Sequence, residues 1–142
     1  MTAPHITAIT LGVRDVAASR RFYVDGLGFD EIPTASDDIA FVRAGHGLLL
    51  ALWDATQLPS EYGDVGHGPL APPMSLGHNV AGPDEVRTWF ERAVSAGASP
   101  VSEPREQVWG GVSACVADPD GFRWDFVHNP AFSVADDGSV TV

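Results

Sequence analysis

With one cysteine among 142 residues, Cys115, the chain has no intrachain disulfide to form. The expectation is a reducing, cytoplasmic setting. Cys115 stands in the apolar run Val112-Ser113-Ala114-Cys115-Val116, where it reads as a small buried hydrophobe with nothing nearby to activate a thiol. Cations are scarce as well: 8 Lys plus Arg against 19 Asp plus Glu give a formal net charge of -11. Without clustered positive charge there is no footprint for nucleic acid or for an anionic membrane surface. The same field favours a neutral or cationic small molecule as partner. Long apolar runs are missing, so no segment reaches membrane-spanning length, and the N-terminus shows no secretory signal. What is present, 44% hydrophobic residues, suffices for a core without a metal or disulfide staple.

The chain reads as one unit written twice. Thr10-Leu11-Gly12-Val13-Arg14-Asp15 runs into a helical pattern ending at Gly28, and His78-Asn79-Val80-Ala81-Gly82-Pro83-Asp84 runs into one ending at Gly97. In the first copy, residues 6–13 alternate, with Ile9, Leu11 and Val13 on one face and Ala8, Thr10 and Gly12 on the other. Asp15 then caps a helix whose stripe is Val16, Ser19, Phe22 and Tyr23. Strands are expected at 29–32, 38–44 and 48–53. The second copy repeats the order: a strand at 74–81, a helix at 84–96 using Val86, Trp89, Phe90 and Val94, and strands at 100–107, 111–117 and 122–128.

Between the copies, residues 54–73 are rich in proline and glycine and have no period, the mark of a linker, a lid or both. Asp118-Pro119-Asp120-Gly121 has the residue order of a type I turn with a hairpin bulge, so its two carboxylates read as turn chemistry. Residues 131–142 read as a solvated tail or a partner-contacting arm. The expected organisation is a single domain over 1–142, with module 1 at about 6–53 and module 2 at about 74–130.

These pieces in this order, with Leu11-Gly12-Val13-Arg14-Asp15, Arg21-Phe22-Tyr23, Leu27-Gly28-Phe29, Trp109-Gly110-Gly111, the 118–121 turn, Trp124-Asp125 and His128-Asn129-Pro130, resemble the vicinal oxygen chelate superfamily. It is also called the glyoxalase, bleomycin-resistance and dioxygenase superfamily. The likeness spans Ile6 to about Phe132. It implies an α+β fold of two βαβββ modules whose curved mixed sheets enclose a cup, often in a homodimer. In metal-using members the ligands come from the first and last strands of each copy. Carried onto this chain, those places fall on Ala8, on or near Leu50, on His78, and on Asp125, where Glu is more usual.

Two such side chains fall short of the three or four protein ligands that a zinc or transition-metal site needs. The expectation is therefore no metal; a divalent Ni, Zn, Fe or Mn ion, if one binds, would use His78 and Asp125. Along 122–128, Phe122, Trp124 and Phe126 suit helix packing, which turns Arg123, Asp125 and Val127 the other way. Arg123 then stands ready to neutralise Asp125. The facing of His78 is left open by its own strand. His78 and Asp125 are candidates for acid and base, or for polar anchors of a ligand. Ala8, Thr10 and Leu50 would line the cup, with Trp53, Tyr62 and Trp109 offering flat aromatic surface. His5 starts the first strand, His46 and His67 read as exposed loop histidines, and His128 as a packing residue. Two functions remain: binding of a small, apolar or aromatic molecule with no metal, as a resistance-type protein or a metal-free enzyme, or a metal-dependent lyase, isomerase or dioxygenase.

Overall fold

Alternation in the opening segment produces β1 (Ala8–Val13), whose Leu11 and Val13 are almost wholly buried against the helix that follows. The Asp15 carboxylate accepts a hydrogen bond from the Ala18 N–H at 3.0 Å and starts α1 (Val16–Arg20), which widens into a π-helical stretch over Arg21–Gly26. The wider turn lets the adjacent Phe22 and Tyr23 both bury, edge to face at 4.9 Å. Gly28, with φ 86°, supplies the left-handed residue that ends the helix. Three strands follow: β2 (Asp30–Ile32), β3 (Ile39–Gly45) and β4 (Leu48–Asp54).

The computed structural model describes residues 2–66 and 68–142, and the chain divides into compact units 1–67 and 68–142. In the first unit the strand order is β1-β4-β3-β2, with β1 and β4 parallel and the other pairs antiparallel. Register decides what each face carries. Ile9 pairs with Leu50 and Leu11 with Leu52, and these share the helix side with the buried Ala40 and Val42. Thr10, Ala51, Phe41, Gly12 and Trp53 therefore occupy the far face, opposite α1. The connection after Trp53 is more ordered than its composition suggested. Asp54 accepts from the Thr56 N–H at 2.9 Å to open a 3₁₀ turn over Ala55–Gln57, and Pro59 begins the single-turn α2 (Pro59–Tyr62).

The second unit repeats the plan. It contains β5 (Ser75–Asn79), α3 (Pro83–Ser95), β6 (Ser99–Glu106), β7 (Val112–Ala117) and β8 (Arg123–His128), in the order β5-β8-β7-β6. This matches the first sheet strand for strand, so the duplication seen in the sequence is a duplication of topology. α3 buries Val86, Phe90 and Ala93 over β7 and β8. The 118–121 segment is a turn: the buried Asp118 accepts from the N–H groups of Asp120 and Phe122, each at 2.9 Å. Residues beyond 131 are not a featureless tail, since β9 (Ser133–Val134) and β10 (Val140–Thr141) pair as a hairpin turned at Gly138. Among the described residues no helix is long and apolar enough to cross a membrane.

Candidate functional site

The sequence-derived pair, His78 and Asp125, is not a pair. β5 and β8 run parallel with Gly77 beside Asp125 and His78 beside Phe126, so His78 shares the helix side with Phe126 while Asp125 points to the far face. The imidazole meets the Trp89 ring edge to face at 5.0 Å and the Phe126 ring at 6.3 Å, with Trp89 and Phe126 themselves stacked at 6.2 Å. Arg92 lies over the outer side of Trp89 at 4.9 Å from its centroid. Burial in this aromatic nest pushes the His78 pKa below its ordinary value, and the charge of Glu85 offsets part of the effect. Glu85 is itself held by accepting the Ala81 N–H at 3.1 Å. His78 is a packing residue with a polar edge.

Leu50 requires the same correction. It is buried against β1 and the helix side, and the residues of β4 that reach the far face are Leu49, Ala51 and Trp53. Ala8 and Thr10 do face that way. Trp53 and Tyr62 come together, ring centroids 5.8 Å apart and nearly perpendicular. The Tyr62 N–H donates to the Leu58 carbonyl at 2.9 Å, and the Leu58 methyl groups lie over Gly12, where a Cβ would stand 2.8 Å from Leu58 Cδ2. Only glycine leaves room for this leucine. The far face of the first unit is thus an apolar and aromatic surface of Thr10, Phe41, Ala51 and Trp53, with Tyr62 at its edge.

Trp109 belongs to the second unit, half-exposed in the turn between β6 and β7, its ring folded over Gly111. That unit's far face is polar. Across its four strands Gly77, Asp125, Cys115 and Ser102 form one row, and Asn79, Val127 and Ser113 part of the next. Gln107 Nε2 donates to Ser113 Oγ at 2.8 Å. Cys115 is half-buried on this face rather than in the core. Burial raises its thiol pKa, the neighbouring Asp125 carboxylate raises it further, and Arg123 partly offsets both, which disfavours the thiolate. Arg123 does not neutralise Asp125: its guanidinium donates to the Gly121 carbonyl at 3.1 Å, and among the described residues no ion pair involves Asp125.

His5 and His46 are exposed, His128 turns its Nδ1 toward the Val80 carbonyl at 3.5 Å, and His67 lies outside the described residues. Of the four positions to which the resemblance carries metal ligands, Ala8 and Asp125 lie on the far faces of their sheets, whereas Leu50 and His78 lie on the helix sides. Among the described residues no three His, Cys, Asp or Glu side chains stand close enough to hold a metal ion. The donor set does not fit one. The concavity between α3 and β6 is different again: Arg87, Arg105, Asp84 and Glu91 line it with charge of both signs on the helix side.

Gly77, Asn79, Phe41 and Leu58 were absent from the sequence-derived site. A signal for the facing existed in β5: Leu76, His78 and Val80 carry the larger side chains of the alternation, and that set lies on the buried helix side, leaving Gly77 and Asn79 to the far face.

Two four-stranded mixed sheets, each backed by a helix and built in the same order, define an α+β duplicated fold. Residues 4–126 match the Glyoxalase/Bleomycin resistance protein/Dioxygenase superfamily, and the chain belongs to it. Among solved structures, a glyoxalase-related enzyme from Fulvimarina pelagi is 35% identical with a TM-score of 0.88, the match covering 99% of each chain. A glyoxalase/bleomycin resistance protein/dioxygenase from Nocardioides is 27% identical, TM-score 0.71, over 90% of this chain and 85% of that one. A lactoylglutathione lyase from Agrobacterium tumefaciens shares the fold at 19% identity and TM-score 0.68, over 90% and 96%. No functionally curated protein is matched by the sequence.

Proposed function

We propose that this protein binds a small, largely apolar or aromatic molecule against the far faces of its sheets, without a metal. The observation that carries this reading is the first unit's far face, where Thr10, Phe41, Ala51 and Trp53 share one side of the sheet and Trp53 meets Tyr62 edge to face at 5.8 Å. A half-exposed indole and phenol at one edge of that face offer aromatic surface to a planar ligand. Among the described residues no three His, Cys, Asp or Glu side chains gather, which supports a reading without a protein-held metal. A second reading, metal-free turnover, is favoured by Asp125, a carboxylate on the far face of β8 that ends in no ion pair among the described residues. The name of the Fulvimarina neighbour, a glyoxalase-related enzyme, agrees with a small-molecule substrate.

The test is thermal stabilisation by planar aromatic compounds, with metal content measured on the same preparation. The expected outcome is stabilisation that survives chelation and is lost in Trp53→Ala. Stoichiometric metal whose removal abolishes binding overturns the reading. Turnover that persists in chelator and disappears in Asp125→Asn establishes the enzymatic form. The single cysteine supports a cytoplasmic setting, and we take the assembly to be a homodimer, against which a monomer by sedimentation would count.

A further inference from the structure

The segment after β4 is fastened unequally along its length. At its start the Asp54 carboxylate accepts the Thr56 N–H at 2.9 Å and the Thr56 hydroxyl at 2.7 Å, which fixes the turn out of the strand. At its far end Gly63, with φ 71°, breaks α2, and glycines at 66 and 68 and prolines at 69, 72 and 73 follow. Between these ends Leu58 is the one buried residue of the stretch 55–66. Its two methyl groups, with the Ala55 Cβ, occupy the space over Gly12. Tyr62 follows one helical turn later, its N–H on the Leu58 carbonyl, so the two side chains leave the turn on the same side. Gly12 and Trp53 are register partners of β1 and β4. Leu58 and Tyr62 therefore meet two adjacent strands at one level, Leu58 at Gly12 and Tyr62 at Trp53.

An element that stays packed buries a whole face, whereas this one buries a single side chain. Segments with so little burial open locally at far less cost than unfolding the domain. Even with Leu58 seated, the two rings retain free surface: Trp53 is half-buried and Tyr62 is 53% exposed, with their planes nearly perpendicular. A planar molecule in the angle between them touches both rings when Leu58 is seated and loses Tyr62 when the turn lifts. Such a molecule binds the seated form better than the lifted one, and so shifts the population toward closure.

We infer that residues 55–62 are a lid, hinged at Asp54 and latched by Leu58 over Gly12, that lifts to admit a planar molecule to Trp53 and closes on it with Tyr62. This rests on the proposed aromatic-binding reading and adds the device that controls entry to that surface and retention on it. Leu58 is then a positioning residue that acts through Tyr62.

Quinoline, planar and uncharged at neutral pH, is titrated into the ¹⁵N-labelled full chain, with relaxation dispersion recorded on the Trp53 indole N–H and on the Leu58 and Tyr62 amides. Without quinoline these three signals are expected to share one microsecond-to-millisecond process that the Leu50 and Leu52 amides of β4 do not show, and saturation with quinoline should quench it. In the free protein, Leu58→Ala should move the Trp53 indole signal toward its position in Tyr62→Ala, because the lifted turn carries the phenol ring away. Both variants should bind quinoline about tenfold more weakly, the scale of one lost aromatic contact, and Leu58→Met, which refills the space over Gly12, should restore binding. Quinoline that binds Leu58→Ala as tightly as wild type, or that binds while the three signals show no shared process to quench, overturns the lid and leaves aromatic binding in place. Quinoline that binds no form of the protein overturns both.

Discussion

His78 illustrates how a single residue's facing decides its chemistry. Flanked by the Trp89 and Phe126 rings on the helix side of its sheet, the imidazole is held neutral by desolvation, and Arg92 on the outer face of Trp89 adds a cation to the same cluster. Unfolded, it takes up a proton at its ordinary value near pH 6.5; folded, it does so only at lower pH. Between those two values the unfolded state binds more protons, so stability falls as the solution is acidified. The contribution is complete above about pH 6.5 and is lost as pH drops toward the folded value. Urea unfolding of wild type and His78→Phe, compared at about pH 7.5 and about pH 5, should show a smaller acid loss in the variant. Equal losses would place the acid sensitivity elsewhere. The same residue shows where the sequence was ambiguous: side chains alternate with period two, so an alignment slipped by one residue moves His78 from the helix side to the far face. What settles the register is the pairing of β5 with β8, which sets Gly77 beside Asp125 and His78 beside Phe126.

At the scale of elements, most boundaries were legible because each rests on a local cause. Asp15 caps α1, Gly28 and Gly97 end helices at positive φ, and Asp118 organises its turn through two backbone N–H groups. The segment after β4 was not legible, because its order comes from tertiary packing: Leu58 fits over Gly12, which is distant in sequence and gives no periodic signal in either place. The small-residue face of β1 leaves space at Gly12, and the chain itself fills that space with Leu58. Gly12→Ala tests the arrangement. The added methyl group, 2.8 Å from the flexible end of Leu58, should displace the leucine at a cost of about 1 kcal/mol. That corresponds to a Tm lower by about 3 °C for a chain of this size. More telling is limited proteolysis, in which cleavage within 58–66 should accelerate in the variant as Tyr62 leaves Trp53. Unchanged cleavage would mean that α2 is held by other contacts.

For the whole molecule, the two units share a topology but have divided the chemistry. The first offers an apolar and aromatic far face, the second a polar one with Asp125 at its centre, and neither repeats the other's side chains. Net charge acts on both. With 19 acidic against 8 basic residues there are too few cations to pair with the carboxylates one to one, and an ion pair as exposed as Arg87 with Glu91 at 3.9 Å offsets little. Their mutual repulsion works against the compact state and is weakest in the unfolded chain, where the charges separate. Salt shortens the range of that repulsion, from about 30 Å at 0.01 M to about 10 Å at 0.1 M. Raising sodium chloride from about 0.01 M to about 0.2 M should therefore increase Tm by a few degrees, the effect of about 1 kcal/mol on a domain of this size. Sodium sulfate at equal ionic strength separates screening from solute exclusion, because sulfate also strengthens apolar burial. A rise in chloride that levels off by about 0.2 M belongs to screening. A Tm that is flat in chloride and climbs only in sulfate would show that the acidic surface is already relaxed, with the carboxylates spaced widely enough that their charge costs the fold nothing.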